Sequence, residues 1–577
     1  MSMHQAFRRI AVQPQAASRL ETVTFPAPTR GIVQDQNEAF MMPGSAVICD
    51  NWKPTLKGLS LRGGCVLHAD LHALDKNEAL WDFAGWDMAL WDHVANSPPT
   101  RKPVISGFSY QSAINERMFA ANKDRLVDVT AFYTDSDPIL VRQGHTSGNY
   151  VASQMSNQGG DWLLAANETG DPLLRFNGTT WEVLDPGYVP PTDNPPVITG
   201  PAGSNVEFGG NLSYVCKYRN RYFFIEANSM NAWYLPLNAI GGILQMIPLS
   251  GAATRGGKLL FAANWSLDAG DGIDDKLVFC TDLGELLIFT GSDPSSAASW
   301  RQEGRYQIPP PLGMNAHLLV GGELLIATVD GIVQTSGAIT KSREELELTA
   351  ITRSIRRMWR EEVAAKRDWS WTMCNWEEYG GIFLTTPGSD PGYCLVVNAS
   401  TGAWARFVGY DATCFIRTGD SLFFGTQDGR IMQADRTGYD DGKPYTAVLV
   451  GGWEVFQSPA QTITWRQARA SFAASSNQPF QPQLSGTTDY VVTLPPPPSA
   501  GLDPGPIDVW DECDWDAGRW DQPSRRYPVV RNTMWVSIGI TGFSHAPVVQ
   551  VTVAQKVKPV VDLIAISATF ERGGINV

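Results

Sequence analysis

The stretch LFFGTQDGRIMQ (422–433) carries the clearest indication of how this chain folds. Apolar and aromatic residues stand on both sides of Gln-Asp-Gly, a pattern typical of two antiparallel strands joined by a tight turn. Two earlier stretches repeat the pattern, LVFCTDLGELLIF (277–289) and LLIATVDGIVQ (324–334). Each stretch is therefore predicted to form two adjacent strands of one sheet.

Shorter phrases recur upstream as part of a weak repetition in the middle of the chain, whose period of roughly 40–55 residues is the length of a propeller blade. Each phrase places an apolar pair before small residues and an Asn, and so predicts a strand that runs into a turn. The phrases are MFAAN (118–122), LLAAN (163–167), FIEAN (224–228) and LFAAN (260–264). Repeated units of this kind close radially and leave only short sheet edges. We predict a mainly β protein in which residues 103–444 form an irregular β-propeller of six or seven blades.

Longer alternating strands replace the repeats after residue 444. They are TITWRQARASF (462–472), TMWVSIGI (533–540), VVQVTVA (548–554) and VDLIAISATF (561–570). This pattern favours an additional antiparallel β-sandwich or barrel over residues 445–577. The proline-rich stretch 494–506 is predicted to be a stiff connector inside it. Residues 1–102 are predicted to form an N-terminal β segment with a Trp-Asp-rich insertion.

One notable helix interrupts the β pattern at about 341–369. Its apolar residues recur at helical spacing: Leu348, Ile351, Ile355, Met358 or Trp359, and Val363. A second face carries Arg353, Arg356, Arg357 and Arg360. These arginines are candidates for contact with a channel or with a neighbouring subunit. A solvated surface and a lining that touches phosphate are the two alternatives.

Composition excludes several classes of protein. The formal net charge of −14 makes a sequence-reading DNA-binding protein a poor fit, because such proteins gather phosphate through basic surfaces. The eight cysteines lie far apart without a CxxC pair, which favours reduced, buried thiols and assembly in a cytoplasm. The N-terminus MSMHQAFRRIAVQPQ carries positive charge but no continuous apolar run behind it, so no secretory signal is predicted. No stretch approaches eighteen apolar residues, so no membrane span is predicted.

Three stretches resemble sites for ions or sugars, and each has a structural interpretation that we prefer. DAGDGIDD (268–275) places glycines where a calcium loop needs ligands, so an acidic turn is expected. CVLHADLH (65–72) could put His68, Asp70 and His72 on one strand face, but nothing completes a metal site, and polar residues on an exposed strand are expected. RFNGTTWEV (175–183) is expected to be a structural hairpin.

Familiar signatures of catalysis are missing from the sequence. It contains no GxSxG elbow, no phosphate-binding P-loop, no GxGxxG after a strand and no HExxH. We therefore predict no enzyme activity, and no catalytic, cofactor-binding or metal-binding residues.

Trp-Asp pairs recur every five residues in LWDFAGWDMALWD (80–92) and again in VWDECDWDAGRWD (509–521). A period of five fits neither one helical face nor one strand face. WD40 propellers carry one such pair in roughly 40–45 residues, so these closely spaced triplets do not indicate WD40 blades. We predict looped segments in which each Asp accepts local backbone N–H groups and each indole anchors against a neighbour, with convergence of the carboxylates on a cation as the alternative. The candidate interface anchors are Trp81, Trp86, Trp91, Trp510, Trp515 and Trp520.

The order of longer phrases resembles the tail nozzle (tail tubular B-type) proteins of short-tailed bacteriophages. The phrases are AVICDNWKPTLKGLSLRGG (46–64), NRYFFIEANSMNAWYLPLNAIGG (220–242), GGKLLFAANWSLDAGDGIDDKLVFCTDLGELLIFTGSDP (256–294), GRYQIPPPLG (304–313) and GGELLIATVDGIVQTSGAI (321–339), followed by WRQARASF (465–472) and FERGGINV (570–577). The insertion at 66–101 has no counterpart in the family pattern.

The resemblance implies a structural virion protein without a cofactor or enzyme activity. It implies a homo-hexameric ring at the distal end of the tail, joined to the adaptor ring below the portal and to fibre, spike, needle or plug proteins. Duplex DNA would be retained in the channel and then conducted through it without sequence-specific binding. Localisation would be the virion, after assembly in the host cytoplasm. Six copies at −14 each would carry −84 in total, and an acidic channel would let DNA slide.

Two other functions remain open at the level of sequence. One is a carbohydrate-binding or glycan-hydrolysing propeller, in which exposed Trp residues stack on sugar rings and paired carboxylates cleave glycosidic bonds. The other is a different tail component, such as a hub or a fibre-attachment ring.

The second Trp-Asp triplet can be tested directly. Changing Trp510, Trp515 and Trp520 together to Ser should lower assembly while the blades stay folded, because buried aromatic residues often dominate the energy of an interface. Sedimentation velocity measures assembly, and circular dichroism measures folding. Unchanged assembly of a folded variant would contradict the role as anchors.

Overall fold

The computed structural model describes residues 20–575 apart from the following gaps: 36, 73–100, 133–136, 186, 191–194, 267–274, 368, 387, 389–390, 457–460, 475–480 and 502–528. Both Trp-Asp triplets, and most of the acidic stretch 268–275, lie outside the described residues. Their predicted roles stay predictions.

Five strands precede the first blade: β1 (Glu21–Pro26), β2 (Ala46–Asp50), β3 (Trp52–Thr55), β4 (Gly58–Leu61) and β5 (Gly64–Asp70). Blade 1 contains β6 (Ser106–Gln111), β7 (Glu116–Ala121), β8 (Arg125–Asp128) and β9 (Ile139–Gln143). Blade 2 contains β10 (Tyr150–Asn157), β11 (Gly160–Asn167), β12 (Leu174–Phe176) and β13 (Trp181–Val183).

A two-residue strand, β14 (Ile198–Thr199), leads to blade 3, which contains β15 (Leu212–Tyr218), β16 (Arg221–Glu226), β17 (Asn231–Tyr234) and, after β18 (Gly242–Ile243), β19 (Gln245–Pro248). Strands β14 and β18 pair with each other in parallel. Blade 4 contains β20 (Leu259–Trp265), β21 (Lys276–Thr281), β22 (Glu285–Gly291) and β23 (Trp300–Gln307). Blade 5 has three strands: β24 (His317–Val320), β25 (Glu323–Thr328) and β26 (Gly331–Gln334).

Blade 6 contains β27 (Met373–Trp376), β28 (Gly381–Thr385), β29 (Tyr393–Asn398) and β30 (Trp404–Val408). Blade 7 contains β31 (Ala412–Thr418), β32 (Ser421–Thr426) and β33 (Arg430–Thr437). The remaining strands are β34 (Tyr445–Gly451), β35 (Gln461–Ala474), β36 (Gln483–Thr488), β37 (Val529–Asn532), β38 (Val536–Gly542), β39 (His545–Val553) and β40 (Val561–Ile575).

The blades form a β-propeller. Blades 1 to 5 and blade 7 are six separate sheets, and blade 6 fills the remaining position in the ring as one end of an eight-stranded sheet. The innermost strands β6, β10, β15, β20, β24, β27 and β31 stand at the centre, and β31 contacts β6 to close the circle. The prediction of a mainly β propeller with an added antiparallel domain is confirmed.

The ring is closed by a strand from near the start of the chain. Strand β5 is the outermost strand of blade 7 and pairs antiparallel with β33, with Ile431 opposite Ala69. Residues 64–70 therefore complete a blade whose other strands begin at residue 412.

The added domain is a sandwich of two sheets. One sheet has seven strands in the order β3-β4-β40-β35-β37, with β1 also on β40 and β38 also on β35. The eight-stranded sheet has the order β27-β28-β29-β30-β2-β34-β39-β36. Its first four strands are blade 6, and its last four, β2, β34, β39 and β36, form the second sheet of the sandwich. The predicted boundaries at 102 and 444 stay predictions, and both sheets combine strands from the two sides of those boundaries.

The eight-stranded sheet joins the propeller to the sandwich. Its one parallel junction lies between β30 of blade 6 and β2, where Asp50 stands opposite Arg406. The Arg406 guanidinium donates from Nε and Nη2 to the two Asp50 carboxylate oxygens at 2.7 and 2.8 Å. A bidentate ion pair thus reinforces the short parallel contact.

The predicted helix region forms between blades 5 and 6. It contains α1 (Thr335–Thr340), α2 (Arg343–Thr349), a 3-10 turn (Ile351–Ile355) and α3 (Arg356–Lys366). Extended backbone at Ala350 separates α2 from the long helical segment. Ile355, Met358, Trp359 and Val363 are buried as expected, whereas Leu348 is exposed because α2 turns away from that face.

The hairpin predictions at 277–289, 324–334 and 422–433 are confirmed. In 422–433, β32 turns into β33 at Gly429, whose φ of +80° favours glycine. The phrases ending at Asn122, Asn167 and Asn228 also end strands. LFAAN (260–264) does not, because it lies inside the innermost strand β20, and its predicted turn is wrong.

Hydrophobic clusters fill the spaces between consecutive blades. Between blades 1 and 2, Phe119 and Phe176 meet edge to face with ring centroids 5.3 Å apart, and Trp181 packs against both. Each blade therefore buries one sheet face against the next blade, which is why a single blade would not be stable alone.

A buried arginine holds the junction of propeller and sandwich. The Arg62 side chain is fully buried and forms a bidentate ion pair with Asp440 at 2.9 and 2.6 Å. Its other N–H groups donate to Asn51 Oδ1 and to the carbonyl oxygens of Gly63 and Val408. The rings of Tyr410 and Tyr445 stand 4.4 and 4.2 Å from the guanidinium carbon.

Removing Arg62 should destabilise the protein strongly. Arg62→Met leaves the largely buried Asp440 carboxylate without its partner, and breaking a buried pair in this way costs about 3–5 kcal/mol. Arg357→Met is the matched control, because the Arg357–Glu361 pair is exposed and such pairs contribute about 1 kcal/mol or less. Urea unfolding followed by Trp fluorescence measures both. Equal midpoints for the two variants would contradict this account.

Candidate functional site

The innermost strands of the propeller open into a cavity of about 660 Å³ at one face of the ring. Its wall comes from the segments that enter those strands and from turns between outer strands. Ser147 and Asn149 precede β10, Lys258 precedes β20, Met314 precedes β24, and Trp369 precedes β27. The cavity is therefore the mouth of the central channel.

Asn149 is the centre of a hydrogen-bond network across this mouth. Its Nδ2 donates to Glu168 Oε2 at 2.8 Å, and Ser147 Oγ donates to Glu168 Oε1 at 2.5 Å. Its Oδ1 accepts from Asn315 Nδ2 at 2.9 Å. Asn149 belongs to blade 2 and Asn315 to blade 5, so the network spans the ring and narrows the mouth.

Gly148 allows this arrangement. A Cβ at residue 148 would lie 2.3 Å from the Asn122 carbonyl oxygen of blade 1, too close for any side chain. Close approach of the two backbones places the following Asn149 over the channel.

A second cavity of about 290 Å³ lies between the innermost strands. The Tyr214 hydroxyl and His317 Nε2 are 3.2 Å apart, joining blades 3 and 5. The His317 ring stacks on Phe261 of blade 4 with centroids 4.2 Å apart and an interplanar angle of 7°. These side chains join the innermost strands of blades 3, 4 and 5. Together with the Asn149–Asn315 hydrogen bond across the mouth, they leave the channel of a single copy too narrow for a nucleic acid.

The rim of the mouth carries side chains of both positive and negative charge, among them Lys258 and Asp282. Lys258 donates from Nζ to Asn228 Oδ1 and from its backbone N–H to Asp282 Oδ1, both at 2.9 Å. Trp369 has 45% of its surface exposed near this rim. The arrangement offers hydrogen bonds, one flat aromatic surface and charges of either sign to a ligand.

The sequence-predicted arginines lie elsewhere, on the outer helical region. Arg353 pairs with Asp35 at 3.6 Å, and Arg357 pairs with Glu361 at 3.2 Å. Arg356 and Arg360 both contact Glu347. The surface is thus one of mixed charge, and its predicted contact with a channel or a subunit stays a prediction.

The stretch 65–72 was predicted to be an exposed strand, and this prediction is wrong for His68. Strand β5 is paired, and His68 is buried: its Nε2 lies 2.8 Å from the Val129 carbonyl oxygen and its ring packs edge-on against Phe423. His72 Nε2 accepts from the Lys102 N–H at 3.0 Å. The residues at 175–183 do form a hairpin, in which Asn177 Oδ1 accepts from the Thr179 and Thr180 N–H groups.

The part of the chain that the structure describes offers neither a metal site nor a membrane-spanning helix. It contains no group of three or more His, Cys, Asp or Glu side chains that could hold a metal ion. Within the same residues, no helix is long and apolar enough to cross a membrane.

The fold and the closed axis define a β-propeller with an appended β-sandwich. No family profile and no curated protein matches the sequence. Among solved structures, the Cps50 (Swd1) propeller domain of Myceliophteria thermophila is similar, with 13% identity and a TM-score of 0.35 over 59% of this chain and 99% of that one. YCF48 from Cyanidioschyzon merolae has 11% identity and a TM-score of 0.34 over 59% and 97%. Sqt1 of Saccharomyces cerevisiae has 12% identity and a TM-score of 0.31 over 62% and 84%.

The position of His317 predicts a pH dependence of stability. Burial lowers the pKa of His317 to about 4, below the value of about 6.5 for an unfolded chain. As pH falls from 6.5 toward 4, the unfolded chain binds a proton that the folded protein does not, so stability decreases by about 1.4 kcal/mol per pH unit.

His317→Gln should remove this contribution. The difference in unfolding free energy between wild type and variant should therefore shrink between pH 7 and pH 4.5. Tyr214→Phe removes the same hydrogen bond but keeps His317, so its unfolding free energy should differ from that of wild type equally at both pH values. A constant difference for His317→Gln would contradict the assignment.

Proposed function

We propose that this chain is a ring-forming structural protein of a virion, the distal tail nozzle of a short-tailed bacteriophage. Several copies would form a ring whose lumen retains and then conducts duplex DNA. The proposal places the adaptor ring on one side and the distal tail proteins on the other.

The apolar edge of the sandwich carries the proposal. Val530, Met534, Trp535 and Val536 have 62%, 87%, 38% and 39% of their surfaces exposed. Val530 lies in β37, Met534 and Trp535 lie in the link that follows it, and Val536 begins β38. Several exposed apolar residues close together at a sheet edge are unusual in a monomer, because they invite pairing with another chain. Their presence supports assembly.

Closure of the propeller axis supports a lumen formed between copies. Tyr214 and His317 join the innermost strands of blades 3 and 5, and Asn149 meets Asn315 across the mouth. DNA would therefore run past the outer surfaces of several propellers. The formal charge of −14 per copy favours weak contact with phosphates in such a lumen.

Rigid coupling of the two units fits a part that must keep its shape while DNA moves. The eight-stranded sheet runs through propeller and sandwich, and Arg406–Asp50 and Arg62–Asp440 pair beside the junction. The phrases that resemble the nozzle proteins occur in both units, in β2–β4 and β35 of the sandwich and in blades 3 to 5.

Electron cryo-microscopy of the purified protein mixed with its own DNA-filled, tailless heads tests the proposal. We expect a ring at the portal vertex with a lumen wide enough for duplex DNA. Heads that already carry tails are the control, and should bind no further protein. A discrete monomer that leaves the vertex bare would contradict the proposal.

A glycan array on the same preparation separates the carbohydrate-binding alternative. Binding that is lost in Trp369→Ala, together with a bare portal vertex, would replace the nozzle proposal with a propeller that recognises sugars through its mouth. No glycan signal is expected from a nozzle.

A further inference from the structure

The seven-stranded sheet of the sandwich has two edges on which no described strand pairs. Strand β35 pairs with β40 on one side and with β37 and β38 on the other. Strand β40 pairs with β35 on one side and with β1 and β4 on the other. Within the described residues, β38 and β1 are thus left at opposite margins of one sheet.

The two margins run in opposite directions. The pairs β1–β40, β40–β35 and β35–β38 are all antiparallel. Four strands in alternating direction leave the first and the last antiparallel to each other. If one copy were placed beside the next without turning it over, β38 of the first would meet β1 of the second as an antiparallel pair, the commoner kind in proteins.

The faces of the two strands also match. Ile538 and Ile540 of β38 pack on the buried cluster around Trp465, as do Val23 and Phe25 of β1. The alternate residues point outward, so Ser537, Thr541, Thr22 and Thr24 are exposed. A joined sheet would continue the apolar inner face across the boundary and would place Thr and Ser opposite Thr outside, a favourable kind of cross-strand pair.

We propose that β38 of one copy pairs with β1 of the next copy, so that the seven-stranded sheets join head to tail. This inference rests on the proposed function, because it assigns the subunit contact of the ring. The contact is heterologous: each copy gives one edge and receives another, and the chain of copies closes when the rotation between neighbours divides a full turn. The exposed apolar residues Val529, Val530, Met534 and Trp535 precede the paired strand and would be covered by the neighbour.

Disulfide cross-linking tests the pairing. In a Cys513→Ser background, Thr22→Cys or Thr24→Cys is combined with Ser537→Cys or Thr541→Cys, and each single change is the control. The native cysteines that the structure describes are buried or half-buried, which limits background reaction. On mild oxidation, we expect at least one double variant to give a ladder of covalent multimers that ends at the ring size, and the single variants to give none.

Other outcomes overturn the inference in different ways. Dimers from Ser537→Cys or Thr541→Cys alone would mean that two β38 edges meet around a two-fold axis. Rings that form without cross-linking in any double variant would refute this pairing and leave the proposed function standing. Failure of the parent protein to form rings would count against both.

A second test introduces a charged residue on the edge strand β38 and measures assembly. Val536→Lys should raise the protein concentration needed for assembly at least tenfold, because a lysine on an exposed edge opposes strand addition. Ile139→Lys is the matched control: Ile139 is 64% exposed on β9, the outermost strand of blade 1. Both variants should keep the wild-type melting temperature. Equal assembly by the two variants would overturn the inference.

Discussion

The contact on which the structure depends is the buried ion pair of Arg62 and Asp440. A guanidinium has five N–H donors, and here every one of them finds an acceptor, from four different parts of the chain. Burial of a charge is costly unless its hydrogen bonds are replaced, so the partners must all be in place together. The pair therefore fixes the geometry of blade 6, blade 7 and the sandwich relative to one another.

Local signals in the sequence predicted local structure well. Gly429 and its neighbours specify a hairpin by the conformation of the turn alone, and the helical spacing from Ile355 to Val363 locates the helix. The closing strand β5 and the parallel contact of β2 with β30 could not be predicted in this way. Their partners are several hundred residues away, and strand pairing at that distance leaves no pattern within either strand.

The candidate site illustrates the same limit. Asn149 and Asn315 are ordinary polar residues in the sequence, and only the ring places them 2.9 Å apart. A Gly before Asn149 was the one available signal, since a glycine at the start of an innermost strand allows close approach of the backbone. His68 was misjudged for the related reason that the strand β5 that carries it becomes buried through its distant partner.

Closure of the propeller by β5 has a consequence for biosynthesis. Residues 64–70 leave the ribosome early, but β33 is not complete until residue 437 has been made. At 5–20 residues per second, the interval is about 20 to 70 seconds. Throughout that time the closing strand must stay unpaired and the last blade does not yet exist. The chain therefore spends most of its synthesis as an open row of blades with an unsatisfied strand at its start, a state in which a chaperone has the time and the surface to bind.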